Sequence, residues 1–316
     1  MAVLSRLPNE LVLLVVEHAC RGFNYTQPAW VASLCLVCKS VQLTVVPILY
    51  MRLFISAKTI EGLEALSRTD ENRRLALVRE VHFDFTLDSG EDTEDGGCAL
   101  YDQLSSTLAR ALTGLHTVCG PSWSVETLAH LNPDLSATVS SLYVTDPTVI
   151  WLSMDESKCM SALLGSVARL HIFESFATLH SVITKLSPLR VTGVMLVCDI
   201  MLLVEDIVEI QAQEIAEFCA TLDSMSDMLS DCRRLLFRPR GDLPECAQFI
   251  ISCLKTWALG KRDARIWVDD GLIPIFHPTT GKYLHQELDV DDVLAGHSLW
   301  EGGRPLCTPE TEDCDT

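Results

Sequence analysis

One spacing constrains this chain more than any other feature: apolar-x-x-apolar-x-apolar, which returns seven times between Val78 and Val268. The copies run Val78 to Phe83, Leu112 to Thr117, Val139 to Val144, Val167 to Ile172, Val191 to Leu196, Cys232 to Phe237 and Asp263 to Val268, with Thr117 and Asp263 the polar exceptions. Apolar residues at alternate positions suit a strand that buries one face. Between most copies the period becomes helical, as in Tyr101-Leu104-Leu108-Leu112, Met160-Leu163-Leu164-Val167, Phe176-Leu179-Ile183-Leu186 and the stretch from Ile207 to Leu229. A helix between two strands is a connection that parallel strands need, since a tight turn cannot join them. Self-similarity at intervals of about 20 to 50 residues marks repeat architectures, whose units bury their apolar faces against one another. The expected fold class is α/β, a curved solenoid with parallel strands inside and helices outside. A doubly wound α/β domain is the alternative.

Alternate side chains of a strand point to opposite faces. With Val81, Leu115, Leu142, Leu170, Val194, Leu235 and Ile266 turned to the helices, the residues beside them face an open, concave side. The middle column then reads His82, His116, Tyr143, His171, Met195, Leu236 and Trp267. One flanking column reads Glu80, Gly114, Ser141, Arg169, Gly193, Arg234 and Arg265; the other reads Asp84, Val118, Thr145, Phe173, Val197, Arg238 and Asp269. Arginines toward the last strands, with aromatics and Met between, have the make-up of a protein-binding surface. The candidate target contacts are His82, His116, Tyr143, Arg169, His171, Met195, Arg234, Arg238, Arg265 and Trp267. The pattern resembles a degenerate leucine-rich-repeat scaffold, with uneven repeat lengths and no regular Asn/Cys turn position.

Charge narrows the partners. Lys and Arg number 24 against 43 Asp and Glu, a net charge of −19, and no basic cluster exceeds two residues. Phosphate backbones are repelled by such a surface, so nucleic acid is not an expected partner. The longest apolar stretch, Val194 to Val204, contains Asp199 and is far shorter than the ~20 residues a membrane span requires. Thirteen cysteines without regular spacing do not read as a disulfide framework. No secretory leader pattern opens the chain. A reducing compartment, cytoplasmic or nuclear, is expected.

The N-terminal stretch carries more apolar surface than one helix face needs. Leu7-Pro8-Asn9-Glu10-Leu11 suits a helix start, and Leu11 to Val16 is an unbroken apolar run. Leu7, Leu11, Leu14 and Val15 have the spacing of a core stripe, which leaves Val12 and Val16 as surplus. Two further helical segments follow, around Trp30, Leu34 and Val37, and around Val41, Val45 and Leu49, the last ending near Pro47 and Tyr50. A module of ~50 residues is marginal alone. Its surplus either packs on the rest of the chain or meets a partner.

Three blocks in order resemble an F-box: Leu7-Pro8-x-Glu10-Leu11-Val12, Leu34-x-Leu36-Val37-Cys38-Lys39 and Val46-Pro47-x-Leu49-Tyr50-x-x-Leu53. They span roughly residues 5–54. The resemblance implies docking on the Skp-family linker subunit of an SCF-type (cullin–RING) ubiquitin ligase. Residue by residue, it implies that Leu7, Pro8, Leu11, Val12, Leu34, Leu36, Val37 and Cys38 contact or support that surface.

No catalytic motif emerges. The chain lacks Gly-x-Gly-x-x-Gly, Gly-x-Ser-x-Gly and His-Glu-x-x-His, and Gly281-Lys282 precedes Tyr283 rather than Ser or Thr. The column of histidines lacks the carboxylate or thiol that a tetrahedral metal site needs, so neither metal nor cofactor is expected. The expected organisation is an F-box-like module at 1–55, a repeat domain at 56–270, a capping segment at 271–300 and an acidic disordered tail at 301–316. The expected role is a non-enzymatic substrate adaptor of a ubiquitin ligase, binding the linker subunit and a protein target. The alternatives are a ligase-independent interaction scaffold, or an α/β enzyme with a site at the carboxyl ends of its strands.

Overall fold

The opening apolar run becomes the first of three helices: α1 (Asn9–Phe23), α2 (Pro28–Leu34) and α3 (Lys39–Tyr50). The Pro8 carbonyl accepts the N–H groups of Leu11 and Val12 at 3.0 and 3.2 Å, and Pro28 takes the first position of α2, where a missing N–H costs nothing. Cys20, Val31, Val41, Val45 and Ile48 are buried together, with Leu13, Val16 and Leu34 packed against them. The Asn24 side chain donates to the Ile48 carbonyl at 2.8 Å, tying the end of α1 to α3. The inward stripe of α1 is therefore Leu13, Val16 and Cys20. The expected stripe is turned outward: Leu11, Leu14 and Val15 are exposed. Helix α3 runs through Pro47 and ends at Tyr50, within the expected stretch. The acceptor that Pro47 cannot use belongs to Leu43, an exposed residue, so water can satisfy it.

The computed structural model describes residues 8–24, 27–56, 58–69, 74–83, 104–144, 158–176, 179, 194–203, 207, 210, 212–228, 232–270, 273–274 and 302–306. Leu7, the acidic stretch 84–95, most of the expected cap at 271–300 and the tail beyond 306 lie outside them. Eight parallel strands follow the helices: β1 (Arg52–Ile55), β2 (Glu80–Phe83), β3 (Thr117–Gly120), β4 (Ser141–Val144), β5 (Arg169–Ser175), β6 (Met195–Leu202), β7 (Arg234–Gly241) and β8 (Ile266–Val268). Each pairs with the strand before it in sequence. A doubly wound sheet would reverse this order, and among the described strands the order does not reverse. Short β9 (Ile273–Pro274) adds in parallel to the end of β7, and β10 (Arg304–Pro305) pairs antiparallel with β8. Residues 302–306, assigned to the tail by sequence, thus cover the sheet's last edge, where an unpaired strand would otherwise offer its N–H and C=O groups.

One apolar row sets the register: Leu53, Val81, Val118, Leu142, Leu170, Leu196, Leu235 and Ile266. It faces α4 (Ile60–Thr69), α5 (Ser106–Ala111), α6 (Ser122–Leu131), α7 (Leu135–Thr138), α8 (Lys158–Ser166), α9 (Ala212–Met228) and α10 (Pro244–Lys261) across one continuous core. Entry into the first strands repeats a single device. The carbonyls of Met51, Arg79, His116 and Ser140 each accept two successive N–H groups of the next strand, at 2.8 to 3.1 Å.

The row corrects the sequence reading in three places. Strand β1 was assigned to the helical module, although Tyr50-Met51-Arg52-Leu53-Phe54-Ile55 fits the recurring spacing. In β3 the frame moves by three, from Leu112/Leu115 to Leu115/Val118, because Leu112, Leu115 and Val118 offer two equivalent choices and Leu112 caps α5 instead. In β6 it moves by two, since Val194, Leu196, Cys198, Ile200 and Leu202 alternate without a break and all face the core.

Helix α5 hangs on one buried carboxylate. Ser105 caps it by accepting the Leu108 N–H at 3.2 Å, while its own N–H donates to Glu64 of α4 at 2.7 Å and its hydroxyl donates to the other Glu64 oxygen. Ser105→Ala removes the cap and one donor to a buried acid. It is expected to cost about 1–3 kcal/mol, read as a lower urea midpoint with an unchanged slope.

Candidate functional site

Two surfaces are candidates for function, and the helical module carries the first. Leu11, Val12, Leu14, Val15, Phe23, Trp30, Leu36, Val37 and Leu43 are all exposed, Leu36 to 88% and Val15 to 66%. Phe23 and Trp30 meet edge to face at 5.5 Å on this exterior. Of the residues proposed to dock, Pro8, Leu11, Val12, Leu36, Val37 and Cys38 lie in solvent, and Leu34 is half-buried beneath them. The surplus is real but differently distributed: Val16 belongs to the module's own core, whereas Leu14, Val15 and Leu43 stand outside. Six consecutive apolar residues signalled the excess; which of them turn inward depends on where α2 and α3 pack.

The helix-free face of the sheet is the second surface, and its register differs from expectation. Its central column is Phe54, His82, Cys119, Tyr143, His171, Val197, Leu236 and Trp267. His116 precedes β3 and is exposed outside that column, with Nδ1 3.2 Å from the Thr138 carbonyl. Met195 drops one step, into the row of Glu80, Thr117, Ser141, Arg169 and Arg234. The face is not open at its centre. His82, Tyr143, His171 and Arg238, expected as accessible target contacts, are buried, whereas Arg169, Met195, Arg234, Arg265 and Trp267 are half-buried. Near β8, Gly303 lies on Leu236: a Cβ there would stand 2.7 Å from the Leu236 Cδ1, and the backbone has φ +79°, so glycine alone fits without strain. Arg234 donates to the Gly302 carbonyl, and its guanidinium sits 4.0 Å over the Trp267 ring.

Along this face the buried side chains pair by stacking and charge. Phe54 stacks on His82 at 4.9 Å, and Tyr143 meets His171 at 5.8 Å. Glu80 binds Arg52 at 2.5 Å across β1 and β2; burial alone would raise its carboxyl, but His82 and Arg52 hold it below the usual range. The densest charge cluster centres on Asp199, fully buried on β6. Arg238 Nε is 3.5 Å and His171 Nε2 3.3 Å from one carboxylate oxygen, and Arg240 contacts the other. Arg240 also lies 5.0 Å over the Phe173 ring. Burial would push the Asp199 carboxyl up, yet the two guanidinium groups outweigh it and hold the acid ionised well below the usual carboxylate range. The two-residue shift of β6 explains why sequence reading missed Asp199: the expected column placed Val197 beside Arg238.

Among the described residues no group of three His, Cys, Asp or Glu side chains converges, and every described cysteine is free. A cavity of about 530 Å³ does open at the carboxyl ends of β5 and β6. Among its described lining residues are two acids, Glu214 and Glu217, both exposed on α9. No described helix is long and apolar enough to cross a membrane. No family model matches the chain, and searches of curated proteins and of solved structures also find no match.

Asp199→Asn keeps the shape but removes the charge that Arg238 and Arg240 face. It is expected to cost about 3–5 kcal/mol at neutral pH, as breaking a buried ion pair does. The native acid is held low, so its contribution is complete above the unfolded-state pKa of about 3.9 and fades as pH falls through the folded value. Urea unfolding at pH 7 and below pH 4 should therefore show the gap between the two proteins closing only in acid.

Proposed function

We propose that this chain is a substrate-recognition adaptor of an SCF-type (cullin–RING) E3 ubiquitin ligase. Its N-terminal helices dock on a Skp-family linker subunit, and its sheet region holds a protein target. The observation that carries this reading is the apolar exterior of a module that already has a closed core: Leu14, Val15, Leu36, Val37 and Leu43 remain in solvent after Cys20, Val31 and Val45 are buried. Several large apolar side chains left exposed on so small a module are the mark of an interaction site. Leu36 and Val37, with the exposed Leu11 and Val12, belong to the first two of the three blocks that resemble an F-box; Leu14, Val15 and Leu43 extend the exposed set beyond them. Neighbouring parallel strands with helices on one side support the reading of the sheet as an irregular leucine-rich-repeat-like solenoid. In this role the chain supplies proximity, raising the effective concentration of target near the charged enzyme, while other subunits supply the chemistry.

Co-expression with the linker subunit tests the assignment. The wild-type chain is expected to co-purify, and Leu36→Asp/Val37→Asp to lose the complex. A loss of about 2 kcal/mol, some thirtyfold in affinity, is ordinary for a central apolar contact. Both side chains are exposed, so the thermal midpoint should stay unchanged. Absence of any wild-type complex would favour the ligase-independent scaffold.

Thiol chemistry gives a second test. Cys38 is exposed beside Leu36 and Val37, while burial pushes the Cys246 and Cys253 thiols up to about 11. Only the thiolate is nucleophilic. Iodoacetamide at neutral pH is expected to modify Cys38 well before the buried thiols, as read by peptide mass spectrometry, and the modified chain to bind the linker subunit more weakly.

A further inference from the structure

The cavity between α9 and the ends of β5 and β6 joins two unlike surfaces. Its floor is apolar and buried, with Phe176 of the loop after β5 stacked on Phe218 of α9 at 4.2 Å, and Leu202 beside them. Its mouth is acidic. Glu214 and Glu217 lie one helical turn apart on α9, both exposed, and Glu217 accepts a 2.9 Å hydrogen bond from Gln213. Residues three apart on a helix share a face, so the two carboxylates form one rim. None of the described lining residues is basic. About 530 Å³ is ample for a large side chain and lies within the usual range of ligand sites, ~300–1,000 Å³.

These features select their occupant. A free anion meets two carboxylates, and a bare cation gains nothing from the apolar floor. A large apolar side chain with a cation beside it satisfies both parts. The net charge of −19 steers positively charged partners toward the chain. We infer that this cavity is a recognition pocket of the adaptor for a short target segment, in which a Leu, Met, Phe or Trp side chain enters while a neighbouring Lys or Arg pairs with Glu214 and Glu217. The inference rests on the adaptor reading and supplies its target class.

The test is selection from a displayed peptide library on the purified full-length chain, compared with two variants. Ala220→Trp places a bulky side chain at the mouth, where Ala220 is exposed. Glu214→Lys/Glu217→Lys reverses the rim on the solvent side of α9, so it is compatible with folding even if the tryptophan variant is not. The wild-type chain should enrich a large apolar residue within two positions of Lys or Arg. Ala220→Trp should reduce retention of those peptides at least tenfold, and the charge reversal should change the preferred neighbours from basic to acidic. Enrichment of no peptide, or of the same peptides by wild-type chain and by both variants, would overturn the assignment. The screen contains no linker subunit. A failed screen with an intact linker complex therefore rejects the pocket alone, and a lost complex with intact selection rejects the ligase role alone.

Discussion

The sheet depends on one row of apolar side chains, running from Leu53 to Ile266, that presses every strand against the helices. Adjacent parallel strands lie about 4.8 Å apart, so each residue of the row touches its neighbours as well as the helix above. No strand can slip by one position without turning its inward side chain to the other face. The paired N–H groups received by Met51, Arg79, His116 and Ser140 fix the same register from the entry side of the strands. Two weak constraints agreeing at each step hold strands of only four residues, such as β2, β3 and β4, in line.

The opposite face obeys a different economy. No described helix packs on it, yet its central side chains are as buried as those of the core. Burial of apolar residues there needs little explanation, since Cys119, Tyr143, Val197 and Leu236 touch one another. Burial of Asp199 with Arg238, Arg240 and His171 does, because desolvating charges costs several kcal/mol per ion and is offset only by close partners. Such a cluster tolerates few alternatives to one register of β5, β6 and β7. Residue 199 must stand opposite 173 and 238, and a slip of either neighbour would strand a charge. The charges thus discriminate between frames that the unbroken alternation of β6 leaves equivalent.

That ambiguity also marks how far the fold was legible. The fold class, the neighbouring parallel strands and the three opening helices could be read from the chain because they rest on periodicity, a local property. Frames could not be read where periodicity repeats itself, as at Leu112, Leu115 and Val118 or along Val194 to Leu202. The outward turn of Leu14 and Val15 was equally hidden, since a six-residue apolar run offers several stripes and only the placement of Val31 and Val45 chooses among them. Accessibility of the sheet face was the least legible property. It depends on segments distant in sequence, of which the Gly302–Gly303 contact with Arg234 and Leu236 is one instance.

The molecule therefore separates its apolar surface into parts with different logic. Around the sheet, apolar residues are matched to helices so closely that the core runs unbroken from Ile55 to Val268. In the opening module the same residue types exceed what three short helices can enclose, and the excess collects on α1, on the α2–α3 turn and on α3. If the excess served only to stabilise the module, polar residues at Leu14, Val15 and Leu36 would serve as well, because none of these side chains is covered by the chain's described fold. Their exposure lowers solubility and gives the isolated module nothing in return. Under the proposed adaptor role, that excess is the surface on which the linker subunit lies. On that proposal docking falls to the helices, and the sheet, with its charges fixed and its centre closed, presents a rigid frame at its edges.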